Sequence, residues 1–187
     1  MNGRNNCLQH QESATRDNPF MNVKFVNPVV NSIINVLSAM TGLQPQLGEK
    51  SIKQDNVALG AVTGMIEYKG SQAAVSTAIS FPAPVALEIA HRLLHIDVDE
   101  INDIVKDLVG EMANMMAGGA KGVLEAEGYD LEMNLPSVFD GDGHEVPHTV
   151  NAPVVLLHFT TDIGDFYVEI AYSEVEQPVN VEQGVAT

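Results

Sequence analysis

Basic residues are scarce in this 187-residue chain: nine Lys and Arg stand against 25 Asp and Glu, a formal net charge of −16. The acid is spread along the chain. Between Lys24 and Tyr172 there are 7 basic and 20 acidic residues, so −13 of the −16 lies in the body. A body this acidic repels nucleic acid and anionic membrane surfaces, and it suits basic partners. Cysteine is nearly absent. Cys7 stands alone, which excludes an intrachain disulfide and a cysteine-based zinc site. No apolar run approaches the ~18 residues needed to span a bilayer. The first twenty residues, MNGRNNCLQHQESATRDNPF, lack the apolar stretch of a signal peptide. These absences predict a cytoplasmic protein with no membrane and no nucleic acid among its partners.

What is present fits one domain with a sizeable core, since 45% of residues are hydrophobic and 18% charged. Residues 1–20 have low hydrophobicity and no period, so they read as a disordered extension. Met21 opens the structured stretch and is an alternative start. Ser173 to Thr187 carry three glutamates and no base, and read as a flexible acidic tail. The domain is therefore expected over 21–172.

Within it, Asn27-Pro28 opens a helix, with Pro28 in the first turn. Val29, Val30, Ile33, Ile34, Leu37 and Met40 follow at helical spacing, and Gly42 stops it. Residues 56–68 and 71–81 read as strands joined at Lys69-Gly70. Pro82 and Pro84 begin a short helix through Leu94. Asp97 or Asp99 caps a long helix, roughly Glu100 to Glu127. Strands are expected around Leu131, around Val146, over 154–161 and over 166–172, with Ile163-Gly164 in the last turn. The class is α+β: two long helices packed on a mainly antiparallel sheet. A faint echo between residues 31–37 and 110–116 suggests internal duplication.

The second long helix carries an unusual stretch, DLVGEMANMMAGGAK. An interior glycine costs ~1 kcal/mol relative to alanine, and here Gly110, Gly118 and Gly119 all lie inside. At ~100° per residue, Ile101, Ile104, Val105, Leu108, Met112, Met115, Met116 and Val123 form the expected core face. Asp107, Glu111, Asn114 and Gly118 cluster in an exposed stripe away from it. Gly110 is expected on the outer face and Gly119 inward. A solvated face usually takes strong helix formers. Bare backbone beside a carboxylate and an amide suits a surface that docks closely. An amide donates and accepts at once, so it can orient a water for attack on phosphorus. A carboxylate can pair with a partner's lysine. The residues by themselves reach no further than an acid and an amide on an exposed helix.

Other constellations are weaker. His91 and His95 stand four apart on the short helix, without a third metal ligand. Asp140-Gly141-Asp142-Gly143-His144 opens like a calcium loop, but Asn151 stands where the bidentate glutamate belongs. A tight turn is expected there, flanked by His144 and His148. His158, in an apolar strand, is expected as a satisfied core residue.

The run Asp107-x-x-x-Glu111-x-x-Asn114 resembles the signature of the CheC/CheX chemotaxis phosphatases. Residues 21–28 and 35–42 look like the first helix of the CheX branch, and Leu135-Pro136-Ser137-Val138 and Gly164-Asp165-Phe166 extend the likeness over most of 21–172. The resemblance implies a phosphatase that hydrolyses the phosphoaspartate of a CheY-type response regulator. Asn114 would orient the attacking water, and Glu111 would pair with the regulator's lysine. Asp107 and Gly118 would face the partner, and Pro136 would supply the proline expected downstream. No cofactor of its own is implied; Mg²⁺ would belong to the regulator. CheX-like members pair as homodimers through their sheets. Ser32 and Asn35 stand on the first helix where Glu and Asn would stand, with Pro28 leading, so one working site is implied. The alternative is a non-catalytic docking module that binds a phosphorylated receiver domain.

Overall fold

The computed structural model describes residues 22–174; the extension 1–20 and the tail beyond Glu174 lie outside them. In chain order the elements are α1 (Val23–Thr41), β1 (Gln46–Ile52), β2 (Val62–Lys69), β3 (Ala73–Phe81) and α2 (Ala83–Leu94). Then come α3 (Asp103–Ala126), β4 (Glu132–Met133), β5 (Ser137–Asp140), β6 (Val155–Thr161) and β7 (Gly164–Glu174).

The helix ends follow side-chain capping. Asn22 starts α1, its Oδ1 accepting from the Lys24 N–H at 3.0 Å. The expected start at Asn27-Pro28 is therefore five residues late, and Pro28 sits buried inside the helix. A strong cap at Asn22 outweighs the one backbone bond that an interior proline forfeits. Gly42 ends α1 at φ 72°, its N–H donating to Ser38 O at 3.1 Å. α3 is capped by Asn102, which accepts from the Val105 N–H at 3.2 Å, and not by Asp97 or Asp99. By length and composition α1 could cross a membrane, with a mean hydropathy of 1.3, against the expectation that no stretch qualifies. Phe25, Val29, Ile33 and Leu37 are fully buried, and this is the central core helix.

The sheet runs β1-β6-β7-β3-β2-β4, with β5 also on β2. All pairings are antiparallel, and β2 and β3 form the expected hairpin, Val62 opposite Phe81 through Lys69 opposite Ala74. The order is symmetric about the β3–β7 pair. Laying α1-β1-β2-β3 over α3-β5-β6-β7 exchanges β1 with β5, β2 with β6 and β3 with β7. This topology matches the duplication suggested by the sequence echo. α1 and α3 lie antiparallel on one face, sealing Ile66, Ile79, Phe81, Phe166 and Val168 beneath them. The expected strand around Val146 reduces to one bridge, Val57 with Glu145. Ser173 and Glu174, assigned to the tail, pair with Ala74 and Ala73 and belong to β7.

The opposite face combines a small apolar cluster, Ala58, Met65, Ala78 and Val146, with a polar network. Glu169 is fully buried and binds Lys53 Nζ at 2.6 Å and His148 Nε2 at 3.1 Å. His148 Nδ1 is 2.7 Å from the Ser76 hydroxyl. His144 Nε2 is 2.7 Å from Thr63 Oγ1, which lies 2.7 Å from Ser80 Oγ. These bonds strap the segment between β5 and β6 onto the sheet. The buried histidine is thus His148. His158 points off the outer face, pairing with Asp165 at 2.9 Å and stacking on Tyr167, because the strand's two-residue period places it opposite Leu157.

Candidate active site on the outer face of α3

Asn102 fixes the start of α3, and its inner face fixes its roll. The buried positions are Val105, Val109, Gly110, Met112, Ala113, Met116, Ala117, Ala120 and Leu124. The alanines let the helix lie close to β2, where a Cβ on Gly64 would come within 2.7 Å of the Val109 carbonyl oxygen. Apolarity alone misjudged this roll. Ile104, Met115 and Val123, assigned to the core, are 49%, 38% and 45% exposed.

The stripe is where the pattern put it. Asp107 and Glu111 are exposed, and Asn114 and Gly118 are half-buried. Among the described residues, neither Glu111 nor Asn114 has a side-chain hydrogen bond or ion pair. The local cations are occupied. Lys106 binds Asp103 at 3.0 Å and Asp140 at 3.8 Å, and its ammonium is raised above the ordinary lysine range, chiefly by the Asp103 hydrogen bond. Lys121 pairs with Glu125. Among the described residues neither Asp107 nor Glu111 has a salt bridge, and Asp107 feels Lys106 only at longer range, so the stripe presents negative charge.

The glycines divide into two kinds. Gly110, expected on the outer face, is buried against β5: a Cβ there would lie 3.1 Å from Val138 Cγ2. A Cβ on Gly119 would meet Ser32 of α1 at 2.2 Å from Oγ and 3.1 Å from Cβ, so this glycine sets the distance between the long helices. A Cβ on Gly118 would meet nothing within 4 Å. Packing among the described residues does not require that glycine. Beside it an open groove of about 390 Å³ separates α3 from α1, lined by Asn31, Ser32, Asn35, Met115 and Gly118.

Pro136 lies in the link between β4 and β5. Ser137 pairs with Met65, and Asn134 N–H donates to Glu67 O at 2.9 Å, so Leu135-Pro136 runs opposite Ile66. The other sequence candidates do not join this site. His91 Nδ1 contacts Asp97 at 3.1 Å, and His95 ends α2 in the left-handed region at φ 53°. The Gly141–Gly143 segment is a tight turn closed by His144 Nδ1 at 2.8 Å from Gly141 O. Among the described residues, no group of three His, Cys, Asp or Glu is placed to hold a metal.

Three helices on an antiparallel sheet, with a bare acid–amide stripe on the outer side of the longest, make this a CheC-like fold. The CheC-like superfamily protein from Shewanella sp. PV-4 is 37% identical, covering 82% of this chain and 99% of that one with a TM-score of 0.76. The model of the family "Chemotaxis phosphatase CheX" matches residues 62–160, and the chain belongs to this CheX family. The CheY-P phosphatase CheX of Thermotoga maritima is 24% identical over 128 residues, 65% of this chain and 78% of that protein. The CheX–CheY–BeF₃–Mg²⁺ complex from Borrelia burgdorferi has a chain 21% identical with a TM-score of 0.69, covering 82% of this chain and 100% of that one.

Proposed function

We propose that this protein hydrolyses the phosphoaspartate of a CheY-type response regulator. The observation that carries the reading is the pairing of Glu111 and Asn114 on an exposed helix, free of partners among the described residues and one turn from Gly118, whose missing side chain this chain does not need. The Thermotoga relative is named a CheY-P phosphatase, and the Borrelia structure is a complex with CheY, beryllofluoride and Mg²⁺, which supports the same chemistry.

In the proposed reaction a water oxygen attacks phosphorus in line, and the bond from phosphorus to the aspartyl oxygen breaks. Inorganic phosphate leaves and the regulator's carboxylate is restored. The Asn114 amide accepts a hydrogen bond from that water and orients it, a contribution on the order of 10²-fold, or about 2.7 kcal/mol. Glu111 pairs with a lysine of the regulator, and Asp107 adds to the negative field that attracts it. Gly118 admits the regulator's backbone close to α3. Mg²⁺ belongs to the regulator. A cytoplasmic setting and pairing of two copies through their sheets belong to the same proposal, and light scattering of the purified protein tests whether two copies pair.

The deciding experiment measures phosphate loss from a phosphorylated CheY-type protein of the same organism. Wild type should accelerate it, and Asn114→Ala should lose about 10²-fold with its circular dichroism unchanged. Glu111→Ala should weaken binding as well as rate. Retained turnover in Asn114→Ala removes that residue from the mechanism. Binding by wild type without acceleration makes the protein a docking module.

A further inference from the structure

We propose that Ile104, Met115 and Leu135 form an apolar rim that seats the receiver domain around Glu111 and Asn114, so that they add affinity to the Glu111 contact without setting rate; this rests on the function proposed above. Leu135 is 89% exposed, Ile104 49% and Met115 38%. Single exposed apolar residues need no explanation, but three around one polar stripe do.

Their positions follow from the fold. On α3, Ile104, Glu111 and Met115 fall within ~40° of one another at 100° per residue. Leu135 borders the other flank. Lys106 reaches Asp140, and a Cβ on Gly110 would touch Val138. Moving four residues along the helix thus matches moving two back along the strand, ~6 Å in each case. One further step brings the Leu135-Pro136 link level with Asn114. The stripe is then bounded by Ile104 toward the helix start, Met115 toward α1 and Leu135 beyond the β5 edge.

Charge selects the occupant. Asp107 and Glu111 lie inside the rim with no salt bridge to a cation among the described residues. A second copy docked by a two-fold axis here would face these acids against their equivalents, which is repulsive. A receiver domain offering a basic residue beside its phosphoaspartate meets both features. Seated against apolar side chains, the lysine–Glu111 contact is shielded from water and strengthened, as in interfaces where an apolar ring surrounds a polar centre.

The test uses the full chain and the organism's own CheY-type receiver domain, in two states. Steady-state phosphate release gives kcat and KM, and titration against the domain loaded with beryllofluoride and Mg²⁺ gives Kd. Leu135→Ser and Ile104→Ser should each raise KM and Kd by about tenfold, with kcat within about twofold and the thermal midpoint unchanged. Leu94→Ser, exposed at the end of α2, should change neither. Unchanged KM and Kd in the rim variants overturn the proposal, as does equal weakening by Leu94→Ser. If wild type binds without hydrolysing, the catalytic reading fails and Kd alone decides the rim. If wild type does not bind at all, both fall.

Discussion

Gly118 and Gly119 are neighbours with opposite surroundings, and substitution separates their roles. A methyl group on Gly119 runs into Ser32 on α1. Gly119→Ala should therefore destabilise the fold by about 1–3 kcal/mol even after its gain in helix propensity. A methyl on Gly118 meets open space, so Gly118→Ala should stabilise by up to about 1 kcal/mol. Urea unfolding checks both. Phosphatase assays should show the reverse for Gly118→Ala, a more stable protein that handles its regulator less well. Full activity in that variant would remove Gly118 from the docking surface. The type and spacing of the polar residues were legible in the sequence because Asp107, Glu111, Asn114 and Gly118 fit one helical stripe. Which glycine faces what was not legible, since a wheel does not contain the neighbouring helix or strand.

Elements were legible where periodicity was strong and lost where it was not. The β2–β3 hairpin and the two long helices follow from apolar spacing. β1, with the sequence QLGEKSI and an exposed or half-exposed pattern at the sheet edge, has no apolar alternation to find. A register shift between Leu47 and Lys50 further breaks its regularity. The roll of α3 was misjudged because small residues, Ala113 beside Gly64 among them, share the buried face with large ones. In β2 itself, the Tyr68 hydroxyl is fully buried with no hydrogen-bond partner among the described residues, the neighbouring Thr77 hydroxyl donating to Ile66 O. Tyr68→Phe should be neutral or stabilising by about 1–2 kcal/mol, since it removes an unmatched buried polar group. Burial pushes this phenol far above its ordinary value of about 10. A raised folded value means that stability is unaffected below about pH 10 and falls progressively as pH climbs from there toward the folded value. Tyrosinate absorbance should accordingly leave Tyr68 untitrated until the protein unfolds.

At the scale of the whole molecule the two faces of the sheet divide the work. The helical face carries the core and the candidate site, and the opposite face holds the Lys53–Glu169–His148 network, with the lysine and glutamate side chains 5% and 1% exposed. Lys53→Met leaves a buried carboxylate short of its main countercharge and should cost about 3–5 kcal/mol. Because that network lies across the sheet from α3, kcat of the folded variant should stay at the wild-type value. A proportional loss of kcat would mean that the two faces communicate.

The crossing of α1 and α3 also fixes valency. In the duplicated frame Ser32 is the counterpart of Glu111, yet Ser32 is only 8% exposed and packs where a Cβ on Gly119 would sit, while Glu111 stands on the crest of its helix. A glutamate at position 32 would have to push the long helices apart before it could reach a partner. On the proposed function, one regulator per chain is the expected stoichiometry, and Ser32→Glu should unfold or loosen the protein before it creates a second working surface. Titration calorimetry with a beryllofluoride-loaded receiver domain should give one equivalent bound per chain for wild type, and no gain of a second in the variant.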